Sequence, residues 1–214
     1  MNILITAGGT TEKIDSVRGI TNFSTGKLGS LIANAFGSNA AVRKIYYVCG
    51  KFSILPQSNK AEIIHVGGVS DLENTLREIL SRENIDVIIH SMAVSDYRVK
   101  SVADGKLSSD LDELVLTLER TPKIISIFAE IAPQSTLVGF KLLDSESIDT
   151  LIDRGYEVLM QNKCSFVLAN DLRDIKGERH IGYLIDADKN NTRHETKQEI
   201  AEAIVTSTLR GKSK

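Results

Sequence analysis

Tryptophan is absent from the 214 residues, cysteine occurs twice and proline three times. No apolar run approaches the ~20 residues of a membrane-spanning helix. Each shortage closes a class of function. Cys49 and Cys164 show no metal-ligand spacing, so both read as reduced, structural thiols. A net charge of −2 gives no electrostatic footing for nucleic acid or an anionic membrane, and neither is expected as a partner. Asn2 follows Met1 straight into an apolar segment, which leaves no room for a signal peptide and predicts a cytoplasmic chain. His65, His90, His180 and His194 make no HExxH pair, His194-Glu195 lacks a second histidine, and no GxSxG elbow occurs. His65 and His90 fall in apolar strands and are expected to be satisfied core residues.

What the chain does have is one long glycine- and hydroxyl-rich stretch, Ile3 to Gly29. It begins as a buried strand, Asn2 to Ala7, and ends by opening a helix over Lys27 to Phe36. The loop between them runs to about twenty residues, against the usual two to six of a strand–helix connection, and loops of that length are functional or disordered. Gly8, Gly9, Gly19 and Gly26, with Thr, Ser and Asn between them, permit close backbone approach and offer hydroxyl donors for a phosphate or carboxylate. Ser24-Thr25-Gly26-Lys27-Leu28-Gly29 reads S-x-G-x-x-G, one residue away from the dinucleotide fingerprint. It is not a Walker A loop, because Thr21 stands where that motif needs glycine.

The remaining periodicity predicts strands over Val42 to Val48, Ala61 to Val66, Asp86 to His90, Ser135 to Phe140, Phe166 to Ala169 and Ile181 to Ile185. Helices are predicted over Ser70 to Arg82, capped by Ser70 or Asp71, and over Pro122 to Ile131 with Pro122 in the first turn. Two more are predicted over Ser145 to Gln161, weakened by Gly155, and Thr196 to Leu209. The alternation implies one domain, residues 1–214, of α/β class: a doubly wound, mainly parallel, Rossmann-like sheet. A segment from about Ser101 to Arg120 fits the alternation worst and is expected to be an extended arm: a flap over the site, a dimer contact, or both.

Ligands of open α/β sheets bind beyond the carboxyl ends of the strands. Four predicted strand ends carry polar or glycine clusters: Gly8-Gly9-Thr10, Met92 to Asp96, Phe140-Lys141 and Asn170-Asp171. Together with the long first loop they predict a site along one rim. Tyr47 to Lys51 spells the Y-x-x-x-K of short-chain dehydrogenases, but it follows a second strand rather than lying on a late helix. No acidic residue ends that strand to hold a ribose. Both facts count against an NAD(P)-dependent reductase, which stays open on the S-x-G-x-x-G run alone, beside a non-catalytic nucleotide-binding module.

Six motifs in order carry a resemblance over nearly the whole chain: AGGTTEKIDSVRGITNFSTGKLG at 7–29, AVSDYR at 93–98, GKLSS at 105–109, TPKII at 121–125, VGFKL at 138–142 and LANDL at 168–172. With them the sequence resembles the phosphopantothenoylcysteine synthetases, the phosphopantothenate–cysteine ligases of coenzyme A biosynthesis, in their free-standing form. The resemblance implies that CTP or ATP activates the carboxylate of 4′-phosphopantothenate as an acyl-nucleotidylate, releasing pyrophosphate, and that L-cysteine then displaces the nucleotide. It implies Asn22 and Lys106 as catalytic residues. Gly8, Gly9, Arg18, Asn22, Ser24, Gly26 and Ala93 are implied for the acid substrate. Met92, Asp96, Lys106, Pro122, Lys123, Ile124, Ile125, Phe140 and Asn170 are implied for the nucleotide. Magnesium is implied with the triphosphate, no protein-only metal site is expected, and a homodimer working beside a separate decarboxylase is implied. Met92 replaces the first of two alanines frequent in bacterial members, and Lys106-Leu107-Ser108-Ser109 stands for a more basic arm, closer to the eukaryotic pattern. Lys163 lies near, but offset from, the family's triphosphate lysines.

Overall fold

The computed structural model describes residues 1–210 except 111 and 178, so the last four residues of the expected domain and one residue of the arm lie outside the described residues. In chain order the elements are β1 (Asn2–Ala7), β2 (Thr11–Lys13), β3 (Gly19–Thr21), α1 (Lys27–Gly37), β4 (Lys44–Gly50), β5 (Ala61–Val66), α2 (Val69–Arg82), β6 (Val87–His90), β7 (Tyr97–Val99), β8 (Leu118–Arg120), α3 (Ile125–Ile131), β9 (Thr136–Leu143), α4 (Ile148–Asn162), β10 (Phe166–Lys176), β11 (Arg179–Asp186), β12 (Asn191–Thr196) and α5 (Lys197–Arg210). Eight strands form one sheet in the order β12-β11-β10-β9-β6-β1-β4-β5. The six from β5 to β10 are parallel, and counted along the chain they stand 3-2-1-4-5-6, the doubly wound Rossmann order. Strands β11 and β12 extend the sheet antiparallel.

The alternation hidden in the apolar run of β1 shows which layer each residue serves. Ile3, Ile5 and Ala7 pack with Ile32, Ala33 and Phe36 of α1 and Ile200, Ala201 and Ile204 of α5. Leu4 faces the other way, with Leu72, Leu76 and Ile79 of α2 and Ile127 and Phe128 of α3. Burial on both faces is why the strand reads as an unbroken hydrophobic run. Among the described residues no helix is long and apolar enough to cross a membrane.

Several expectations need correction. The long first loop holds a hairpin, β2 with β3. Neither Ser70 nor Asp71 caps α2: Gly68 is its N-cap, and the Val69 N–H donates to Glu12 Oε1 at 2.7 Å, a carboxylate brought from β2. Pro122 lies outside α3, which starts at Ile125 after a turn through Ile124. Strands β9 and β10 outrun their predicted ends, so Phe140 and Asn170 lie inside strands rather than beyond them. The reason is pairing: each finds a ladder partner as far as Asp171 opposite Leu143. Strand β12 was not predicted, because its polar sequence NTRHET has no apolar face to signal it. His65 is exposed, since β5 is the sheet edge. Gly155 lies within α4 because a Cβ there would stand 2.6 Å from Ile185 Cδ1 and 2.9 Å from Ala169 Cβ, so glycine lets this helix sit close on the sheet.

Candidate functional site

The strand order reverses between β1 and β6, and ligands of such sheets bind in the crevice at that point. Two chains of backbone meet there. Gly9 and Ala93 form a parallel bridge just past the two strands, the Ala93 N–H donates to Gly8 O at 2.8 Å, and the Thr10 N–H donates to Ala93 O at 3.2 Å. Buried Thr10 accepts at Oγ1 from the Ser95 N–H at 2.9 Å and shares a hydrogen bond with Ser95 Oγ at 3.0 Å. Below this seam, Thr6 Oγ1 and His90 Nδ1 share a bond of 2.8 Å. Burial pushes the His90 imidazole down to about 4, so the ring is neutral and structural.

Asn22 joins the same point from the long loop. Its Nδ2 donates to Ala93 O at 3.3 Å, and its side chain is exposed. Asn22 lies in the wall of a cavity of about 310 Å³ lined also by Gly9, Thr11, Thr21, Phe23, Ser24, Thr25, Lys51, Phe52 and Ser53. Five hydroxyl side chains and the Asn22 amide share that wall with Phe23 and Phe52, and Lys51 is its cation. Gly26 is the N-cap of α1 in the left-handed region, φ 72°, and has no side chain to cap the helix; the Lys27 N–H donates to Thr25 Oγ1 at 3.3 Å, and this is the end at which a helix attracts anions. A Cβ on Gly29 would meet Ala7 Cβ at 2.6 Å, so this glycine sets close helix–strand packing, the duty of the third glycine in the dinucleotide fingerprint.

The acid-substrate residues named from sequence are thus gathered at one place, with one exception. Gly8, Gly9, Asn22, Ser24, Gly26 and Ala93 meet at the seam or the cavity. Arg18 does not line the cavity: its Nη1 is held by Asp15 Oδ2 at 2.9 Å. Of the nucleotide residues, Lys123 Nζ pairs with Asp96 Oδ1 at 2.5 Å on the exposed surface, and Thr121 joins them to the seam by donating to Ser95 O. Met92 and Ile124 place their side chains in the core beside α2 and α3, which leaves only their backbones for a ligand. Ile125 packs against that same core, Pro122 precedes it, and Phe140 and Asn170 stand on neighbouring strands. Lys106 is exposed on the arm. Lys163 caps the C-terminal end of α4, just before β10 begins, at the end of the strands opposite the rim.

Sequence reasoning missed the loop after β4. Gly50-Lys51-Phe52-Ser53 supplies a third side of the cavity, and a Cβ on Gly50 would stand 2.2 Å from Gly9 O. The signal was present, a glycine followed by polar residues at a strand end, but only an acidic residue was sought there. Tyr47 is fully buried and donates to Ile54 O at 2.9 Å, so it supports this loop from below and is no dehydrogenase tyrosine. A larger depression of about 640 Å³ lies among Arg43, Lys44, Tyr46 and Glu62 at the opposite edge, where Lys44 is already paired with Glu62 at 2.6 Å. It has no part in the rim.

A family described as DFP, the DNA/pantothenate metabolism flavoprotein C-terminal domain, matches residues 1–210. A coenzyme A biosynthesis bifunctional protein CoaBC of Thermococcus kodakarensis is 35% identical over 203 residues, covering 94% of this chain and 49% of that protein. The chain therefore spans about half the length of the curated relatives it matches. Among solved structures, a DNA/pantothenate metabolism flavoprotein from Streptococcus pneumoniae aligns with a TM-score of 0.88 at 33% identity over 99% of both chains. The C-terminal domain of a CoaBC protein aligns with a TM-score of 0.77 at 28% identity, over 100% of this chain and 96% of that one.

Proposed function

The chain belongs to the family of DNA/pantothenate metabolism flavoprotein C-terminal domains, and from that premise we propose that it is a ligase joining 4′-phosphopantothenate to L-cysteine in coenzyme A biosynthesis. The observation that carries the reading is the placing of Asn22. Its amide stands in the cavity wall and beside Ala93, where the phosphate-friendly helix start and the strand-order reversal adjoin.

A free carboxylate repels nucleophiles, so it must first acquire a leaving group. In the proposed reaction its oxygen attacks the α-phosphorus of CTP or ATP, and pyrophosphate leaves. The cysteine amine then attacks the carbonyl carbon, the tetrahedral oxyanion collapses, and the nucleoside monophosphate departs with the amide formed. Both steps depend on holding anions in line and stabilising developing charge, which needs no side-chain nucleophile. The Asn22 amide donates to the oxyanion. Ser24, Gly26 and the α1 N-terminus take the substrate phosphate. Asp96, Lys106 and Lys123 surround the triphosphate, and magnesium enters bound to it as part of that substrate. Exposed apolar side chains on the arm, Val102, Leu114, Val115 and Leu118, support a homodimer formed there.

The test is one turnover assay with CTP and ATP compared. Pyrophosphate should be released only when a nucleotide and phosphopantothenate are both present, and amide should follow on adding cysteine. No turnover with either nucleotide refutes the ligase.

A further inference from the structure

Asp15 is the one carboxylate of the first loop whose side chain has no solvent exposure in the ion pair it makes, although exposed Ser16 and Val17 follow it. Its Oδ1 accepts from the N–H groups of Val17 and Arg18, each at 2.7 Å. That much is a local turn. Oδ2 does something else. It accepts from Arg18 Nη1 at 2.9 Å and from the N–H of Leu107 at 3.1 Å, a residue of the arm distant in sequence. Two backbone bonds run alongside: the Ser16 N–H donates to Gly105 O at 3.2 Å, and the Ala103 N–H donates to Ile14 O at 3.0 Å. Arg18 Nη1 also reaches Leu107 O at 3.4 Å. Lys106 therefore stands between two residues that are each tied to the first loop.

We propose that Asp15 is a positioning residue that fastens the arm to the acid-substrate loop and so holds Lys106 in place. The carboxylate is suited to this because all its donors are N–H groups, one of them charged, and such bonds are about twice as strong as neutral ones. Loss of the negative charge removes the acceptor at Oδ2 that faces both Arg18 and the Leu107 N–H. The consequence for catalysis rests on the ligase reading above, whereas the fastening does not.

Two measurements on the full chain test this. In hydrogen exchange the amides of Ala103 and Leu107, which donate to Ile14 O and Asp15 Oδ2, should be protected in the native chain, and Asp15→Asn should speed their exchange about tenfold, the scale of losing a charge-assisted bond from a local opening. Exchange of these amides at the rate of an unstructured peptide in the native chain overturns the proposal without any variant. In the pyrophosphate-release assay, Asp15→Asn and Lys106→Ala should each slow turnover, and the double variant should be no slower than Lys106→Ala alone, because Asp15 acts through that lysine. Multiplying effects would mean a merely structural role and sink the proposal. If the native chain shows no turnover, the ligase reading falls, and the exchange experiment alone decides the fastening.

Discussion

Gly26 backs onto Gly8 so closely that a Cβ on Gly26 would stand 3.1 Å from the Gly8 nitrogen and 3.2 Å from Ser53 Cβ. Both glycines have positive φ, 72° and 76°, so this contact joins two left-handed turns that begin and end the long loop. Gly26→Ala should cost about 1–3 kcal/mol through backbone strain and crowding. Equilibrium denaturation measures it, and a variant as stable as the native chain would show that the contact is slack.

Asn22→Ala should leave activation intact and stall the second step. Loss of one oxyanion donor costs roughly 10²–10³ in rate. The acyl-nucleotidylate should accumulate, visible by mass spectrometry, while amide formation falls by that factor. Normal amide formation would dismiss the role.

Lys51 is the cation of the cavity wall, whereas Arg18 is committed to Asp15. Lys51→Ala should therefore raise KM for the phosphorylated acid about tenfold, a loss of one exposed charge–phosphate contact, with KM for the nucleotide unchanged. Steady-state kinetics with each substrate varied separates the two. A change confined to the nucleotide KM would assign Lys51 to the other subsite.

Stability should fall as pH drops from about 6.5 to 4. Burial pushes His90 and His180 each down to about 4, so both are neutral in the fold over that window while the unfolded chain takes up protons. Above pH 6.5 their contribution is flat. For His90 the loss is on the order of 3 kcal/mol. Below that window depressed carboxyls take over. Arg173 and the backbone N–H groups around Asp171, and those around Asp15, hold both below the usual range, and their stabilisation vanishes as pH falls through the folded values. His180 ring nitrogens have no hydrogen-bond partner among the described residues. His180→Leu should make the drop between pH 7 and 4.5 shallower with no loss at pH 8. Denaturation curves at the three pH values check it, and an unchanged slope would refute the assignment.

Much of the site was legible because its signals are local. Gly8, Gly9, Gly26 and Gly29 announce turns and close approach wherever they occur, and Asn22 lies within the same run. The loop after β4 escaped notice because Lys51 and Phe52 look like any solvated residues until Gly50 is seen pressed on Gly9. Glu12 carries no local sign of its role, although its carboxylate caps a helix whose first residue is Val69.

Hydrophobic period and glycine placement, which act within a few residues, determined the α/β alternation, the six parallel strands β5-β4-β1-β6-β9-β10 and the loop that opens α1. Only the tertiary structure decided the antiparallel extension by β11 and β12, the capping of α2 by Glu12 and the tie between Asp15 and Leu107. Those contacts join segments far apart in the chain, and a polar strand or a buried carboxylate carries no mark of its partner. Which donor a carboxylate meets depends on how the sheet's layers bring distant loops to one edge, and that is a property of the packed molecule.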